Sequence, residues 1–327
     1  MLLKALKSNQ SYHFILIPFI AGALWLNSFI HPVSFPFFQG EDTMVLYKPL
    51  NYLLANNQFV SSLTALVFVV LLAFLILKLN VQYAFIRVRT FLPSSLFIVI
   101  TSGMHELHAM HPVYPATLFL VLAVDRIFGS YDNEVIHSNA FEAGIFLAIG
   151  SLFYLNLVFF APFLWIGFSV LKPKINWRDY VLTTLGFLLP WFAVVIYYLI
   201  VGETDIFYQT LEKNMTTHQV FFKSNLPIQI YMGYLVLLTI LGSVHLLGQY
   251  DEKKISSRKY FKVFFYIFLI SCVLIVAAPA VSQEIIVLLT LPLTYLISNY
   301  LISMKHQIWG EVFLYVLVAG VIYLQFI

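Results

Sequence analysis

Long apolar stretches separated by short polar punctuation run along almost the whole chain, each about the length a helix needs to cross hydrocarbon. Eleven are legible: Phe14–Ile30, Phe59–Leu77, Phe91–Met104, Val113–Phe128, Phe141–Leu155, Leu157–Leu171, Tyr180–Val201, Ile228–Leu247, Phe261–Ala278, Ile285–Ile302 and Val312–Ile327. None shows the period-two alternation of barrel strands, and an isolated strand would leave unpaired amides in lipid, so the pattern predicts helices. The expectation is an all-α, polytopic transmembrane protein of about eleven spans, with no extramembrane stretch long enough to fold as a domain.

Composition supports that solvent. Of 327 residues, 18 are Lys or Arg and 15 Asp or Glu, 61% are hydrophobic, and the mean hydropathy is +0.88. A soluble chain carries about a quarter charged residues. The net charge of +3 suggests no nucleic-acid partner, and the single cysteine, Cys272, forbids an internal disulfide. The stretch Met1 to Ser11 is short and basic, and no small-residue cleavage site follows it.

Lys and Arg stay in cytoplasmic loops, which fixes the orientation. A cytoplasmic N-terminus places fifteen of the eighteen inside and leaves only Lys48, Lys213 and Lys223 outside. The joint that decides this is Leu155-Asn156-Leu157, where no charge marks a turn. Reading 141–171 as one helix would reverse everything downstream and leave eight inside against ten outside. The hairpin reading therefore stands, in a multi-pass protein of a bacterial inner membrane. Two parts follow, a membrane module over 1–202 and C-terminal membrane helices over 203–327.

Several spans are short. At 1.5 Å per residue, Phe91–Met104 covers about 21 Å and Val113–Phe128 about 24 Å, less than the roughly 30 Å of hydrocarbon. Their outer turns are expected to sink into a recess, where irregular backbone marks binding sites. Two outer loops bring chemistry to it. The first, His31 to Gln58, holds Glu41, Asp42 and Lys48, and its stretch TMVLYKPLNYLLANN suits an interfacial helix. The second reads GMHELHAMHP and holds His105, Glu106, His108 and His111. A third outer segment, Gly202 to Pro227, with Lys213, His218 and Lys223, suits a flap or a further interfacial helix.

A carboxylate above a recess can deprotonate an acceptor hydroxyl, and Glu41 or Asp42 fills that role. Lys48 can hold a phosphate, with a snorkelling anchor as the plain alternative. Glu106, His108 and His111 are candidate ligands of a divalent metal, although His105 and His108 are only three apart and the HExxH signature is absent. Solvated or hydrogen-bonding histidines are the other reading. Glu142 and Glu284 each begin a span and are explained by the helix N-terminus. No span carries a mid-membrane carboxylate, which disfavours a proton-coupled transporter.

The stretch YKPLNYLLANNQFVSSLTALVFVVLLAFLILKL resembles the first outer loop and second span of GT-C superfamily glycosyltransferases, with Asp42 or Glu41 preceding KPLNYLL and Glu106 in HELH at the second acidic place. The hairpin from Phe141 and the proline-tryptophan span that follows are similar to the same superfamily. The whole chain also resembles an uncharacterised family of multispanning inner-membrane proteins from Bacteroidota. The GT-C resemblance implies transfer of a sugar or related group from a polyprenyl-phosphate donor on the non-cytoplasmic side. It implies Asp42, Glu41 and Glu106 in catalysis, and Lys48, His105 and His108 on the donor phosphate. The chain is short for that superfamily and shows no extracytoplasmic domain, so a noncatalytic inner-membrane subunit, scaffolding an envelope complex through a membrane protein partner, is the alternative.

Overall fold

The computed structural model describes every residue except 1, 8–11, 33, 39, 55, 87, 134, 173, 218–225, 305 and 327, and leaves out the side chains of 2, 4 and 5. It is about 80% helix, and no strand occurs among the described residues. In chain order the helices are α1 (Leu2–Lys7), α2 (His13–Leu24), α3 (Leu26–Ile30), α4 (Lys48–Leu54), α5 (Gln58–Tyr83), α6 (Leu92–Thr101), α7 (Val113–Phe128) and α8 (His137–Phe153). They continue with α9 (Ala161–Leu171), α10 (Trp177–Val201), α11 (Thr204–Thr216), α12 (Leu226–Gly248), α13 (Ile255–Ala277), α14 (Ile285–Ser303) and α15 (Gln307–Leu324).

A helix stands at each of the eleven apolar runs. Six are long and apolar enough to cross a membrane by themselves: α5, α10, α12, α13, α14 and α15. The chain is a multi-pass membrane protein whose outer faces contact lipid. At the undecided joint the helix does break: Tyr154 is extended (φ −133°, ψ 105°) and a 3-10 turn, Leu155–Phe160, carries the chain into α9. The run Phe91–Met104 is short as a helix too. α6 ends at Thr101, all ten of its residues are buried, and a second 3-10 turn, His105–His108, follows. The interfacial stretch of the first loop contributes only the seven-residue α4.

α14 is the axis of the bundle. In its apolar window 83% of the residues are inside, and it packs on α6, α7, α12, α13 and α15. Beside it, Phe85, Phe128, Phe264 and Tyr295 meet largely edge to face, and the Tyr295 hydroxyl donates to the Ile76 carbonyl at 2.7 Å. Only 11% of the window of α10 is covered, and its one close partner is α8. Glycines make that contact possible. A Cβ on Gly186 would lie 2.2 Å from the Phe141 carbonyl oxygen, and one on Gly144 would lie 2.3 Å from that of Thr183. Close backbone approach at small residues is how helices associate where lipid removes the hydrophobic incentive.

Polar contacts between distant segments sort into two ends. At one end Lys78 meets Asp125 (3.1 Å), Arg126 meets Glu142 (2.8 Å), His137 meets Asp179 (2.8 Å) and Lys253 donates to Asn299 (2.7 Å). At the other, Ser28 meets His108, Asn214 donates to Gly40, and Tyr154 donates to Glu284. Because α8 begins at His137, Glu142 stands in its second turn rather than at its N-terminus, and the ion pair with Arg126 holds it.

Candidate functional site

Three connections bring Glu41, His111 and Glu284 together. The first is held by its own turns and by its neighbours. Gly40 takes φ +112°, and a Cβ there would lie 2.8 Å from that of Lys213, so only glycine admits α11 this close. Asn214 Nδ2 donates to the Gly40 carbonyl at 2.7 Å, Leu46 N donates to Leu152 O at 3.2 Å, and the Tyr47 hydroxyl donates to Met110 O at 2.8 Å. The Glu41 carboxyl is thereby turned inward, with 2% of the residue exposed.

His111 lies just before α7 and is fully buried. Phe35 meets its ring edge-on at 4.4 Å between centroids, and Phe37 stacks on it at 5.6 Å. Its Nδ1 accepts from Val113 N at 3.1 Å, so in the neutral ring the hydrogen sits on Nε2. Nε2 lies 2.8 Å from Glu41 Oε1, yet the two are not aligned as a hydrogen bond. Glu284, 1% exposed, precedes α14; its carboxylate accepts from the Tyr154 hydroxyl (2.9 Å), from Ser282 N (2.9 Å) and from the Ser282 hydroxyl.

Burial decides the charge states. It pushes the Glu41 carboxyl up to about 8; a backbone hydrogen bond with Phe38 opposes this, and Asp42 beside it adds to it. Burial brings the His111 imidazole down to about 4, against the pull of Glu284. Glu284 is also raised, by burial and then by Glu41, with His111 and Ser282 opposing. Glu41, which keeps its proton up to about 8, forms with a neutral imidazole and a second carboxyl shifted the same way a centre that holds a proton at neutral pH.

The same three residues fit a divalent cation. One ligand atom from each falls within 4.8 Å of the others. Ligands about 2.1 Å from a shared ion lie about 3 to 4 Å apart, so small side-chain rotations close the set. Two carboxylates and one imidazole suit zinc or manganese better than a soft ion. An ion on Nε2 would shift the imidazole hydrogen to Nδ1, which would then release the Val113 contact, and Glu41 would have to give up its proton, so loading the site would expel a proton.

The other sequence candidates fall around this centre. Asp42 is half-buried next to Glu41, Lys48 is exposed at the start of α4, and Glu106 is half-buried in the 3-10 turn, where burial raises its carboxyl. His105 and His108 belong to a separate network rather than to a solvated loop. Ser28 Oγ lies 3.2 Å from His105 Nδ1 and 2.5 Å from His108 Nδ1, while His108 Nε2 donates to Ser102 O at 3.2 Å. Trp25 stacks on His108 at 4.1 Å and donates to Ser102 Oγ at 2.8 Å. Burial lowers His108 to about 3 and also lowers His105. With both its nitrogens engaged there, His108 is not drawn into a set with Glu106 and His111. Lys213 is exposed on α11, whereas His218 and Lys223 lie outside the described residues.

Glu284 was missed as a site residue because a carboxylate at a helix start already has a sufficient local explanation. The available signal was topological: its connection falls on the same side of the alternation as those of Glu41 and His111.

This architecture and its buried carboxylate-imidazole centre define the chain as a polytopic helical membrane protein with a polar site at one end. It belongs to the family of unknown function DUF6427, which matches residues 56–327. His111 and Glu284 lie within the matched region, and Glu41 precedes it. No curated protein and no solved structure matches the chain.

Proposed function

We propose that the protein is a bacterial inner-membrane group transferase of GT-C-like architecture, with eleven crossings and a cytoplasmic N-terminus. It passes a sugar or related group from a polyprenyl-phosphate donor to an acceptor on the non-cytoplasmic side. The observation that carries this reading is the convergence of Glu41, His111 and Glu284 from three connections at one end of the bundle. The sidedness of the polar contacts supports the topology, since each joins connections that the alternation of eleven crossings puts on one side.

In this reading Asp42 takes the proton from the acceptor hydroxyl. The freed oxygen forms a bond to the sugar carbon as the bond from that carbon to the phosphate oxygen breaks, and the polyprenyl phosphate leaves with the electron pair. Lys48 and His105 hold the departing phosphate. Glu41, His111 and Glu284 would hold a divalent cation, which would supply fixed positive charge. Glu106 positions the acceptor.

The test is release of polyprenyl phosphate from a radiolabelled, polyprenyl-phosphate-linked sugar in proteoliposomes. Asp42→Asn should slow release about 100-fold or more, the usual weight of a general base. Unchanged release in that variant would remove the mechanism.

A second reading is a noncatalytic membrane subunit, favoured by how closed the centre is. Its three residues are at most 2% exposed. The long uncovered face of α10 would then meet a protein partner. Copurification of a stoichiometric partner, lost when α10 is altered, would select it.

A further inference from the structure

A second feature stands at the opposite end of the bundle, where the basic residues gather. Two clefts flank the first turns of α13. One, of about 370 Å³, lies among α12, α13 and α14 and is lined by Leu247, Phe265 and Leu296 among other apolar side chains. The other, of about 620 Å³, lies among α9, α10 and α13, with Trp165, Tyr180 and Tyr266 on its walls. Tyr250 and Lys262 line both. The walls are apolar for most of their area; Leu247 and Phe265 in the first cleft are 72% and 55% exposed, and Trp165 in the second is 42% exposed.

The charges around this feature are mostly committed. Lys259 Nζ donates to Leu171 O at 2.9 Å and lies 5.3 Å from the centre of the Tyr131 ring. Lys253 donates to Asn299, and Arg258 engages both Asp251 and the Lys253 carbonyl. Asp251 is thereby turned to Arg258. Lys262 is exposed and has no carboxylate within ion-pair distance among the described residues. Hydroxyls stand close to it in the second cleft, where Ser169 and Tyr180 share a hydrogen bond of 2.7 Å and Tyr250 adds a third.

We propose that this end of α13 holds one anionic two-chain phospholipid of the bilayer, with its phosphate at Lys262 and one chain in each flanking cleft. Among the described residues Lys262 is the one cation that lines both apolar grooves, which matches one anionic head between two acyl chains. Basic residues at this end draw anionic lipid to it from the surrounding leaflet. Tyr and Trp on the walls suit the headgroup level, where amphipathic rings reside. The site is independent of the Glu41 centre, so it stands whether or not that centre transfers a sugar.

The experiment is native mass spectrometry of the full chain in detergent, titrated with dioleoyl phosphatidylglycerol or dioleoyl phosphatidylcholine. The wild type should retain one phosphatidylglycerol in clear preference to phosphatidylcholine. Lys262→Ala should weaken that retention about fivefold, the weight of one basic residue at a membrane surface. Lys174→Ala removes an exposed cation at the same end that lines neither cleft, and it should change nothing. Leu247→Trp, which fills the mouth of the first cleft without touching a charge, should also lower retention, and it decides the matter if Lys262→Ala does not fold. Equal retention of the two lipids overturns the proposal. So does equal loss in Lys262→Ala and Lys174→Ala, or full retention in Leu247→Trp.

Discussion

A centre that holds a proton at neutral pH makes the fold lose stability as pH rises, and Glu41→Gln isolates that effect. Above about pH 7.5 His111 and His108 are neutral whether the chain is folded or not, because their folded values lie near 4 and 3 and their ordinary value is 6.5. Glu41 differs. Unfolded, it ionises near 4.5; folded, it keeps its proton up to about 8. Through this carboxyl the folded state binds one more proton than the unfolded state until Glu41 begins to ionise, which lowers stability by about 1.4 kcal/mol per pH unit, the slope halving near pH 8, or about 1.6 kcal/mol from 6.5 to 8. Glu284 is shifted in the same direction. Below about 7.5 the histidines act in the opposite sense, since the unfolded imidazoles take up protons that the buried rings refuse. The comparison with Glu41→Gln removes their share, which is the same in both proteins. Unfolding can be followed in detergent with a chelator present through Trp25, which is fully buried against His108. Between pH 6.5 and 8 the wild type should lose about 1.6 kcal/mol more than Glu41→Gln. A variant whose stability changes with pH as the wild type's does would refute the assignment of a proton to buried Glu41.

Gly186→Ala places a methyl 2.2 Å from the Phe141 carbonyl oxygen and must separate α8 from α10. It should cost about 2 kcal/mol or more in unfolding, whereas Gly233→Ala, with nothing within 4 Å, should be neutral or mildly stabilising. Lys78→Ala should lower stability by less than about 1 kcal/mol, because its ion pair with Asp125 is half open to solvent, and added salt should erase the difference.

Much of the fold was legible because lipid permits few solutions. Once the apolar runs were delimited, helices followed from backbone satisfaction, and a helix stands at every run, including those on either side of Leu155-Asn156-Leu157. The interior of the bundle was less legible. Nothing in the apolar pattern separates the buried α14 from the exposed α10, since both are continuous hydrophobic stretches, and only glycine positions such as Gly144 and Gly186 hint at a close contact. At the site, the acidic pair in the first loop was visible, but which of Glu41 and Asp42 turns inward depends on the turn at Gly40 and on contacts from α11, far along the chain. The histidine loop was visible as a cluster, and the structure divides it. His108 joins Ser28 and Trp25, while His111 joins carboxylates from connections that no local spacing relates to it.

The central claim is that Glu41, His111 and Glu284 form one centre able to exchange a proton for a divalent cation. Calorimetry of manganese or zinc binding to the purified chain at pH 8, repeated in buffers of different ionisation enthalpy, tests it most directly. The prediction is one bound ion per chain with a proton released, affinity that falls as pH is lowered, and loss of binding in both His111→Ala and Glu284→Gln. No saturable binding at pH 8, or binding that survives both substitutions, would contradict it.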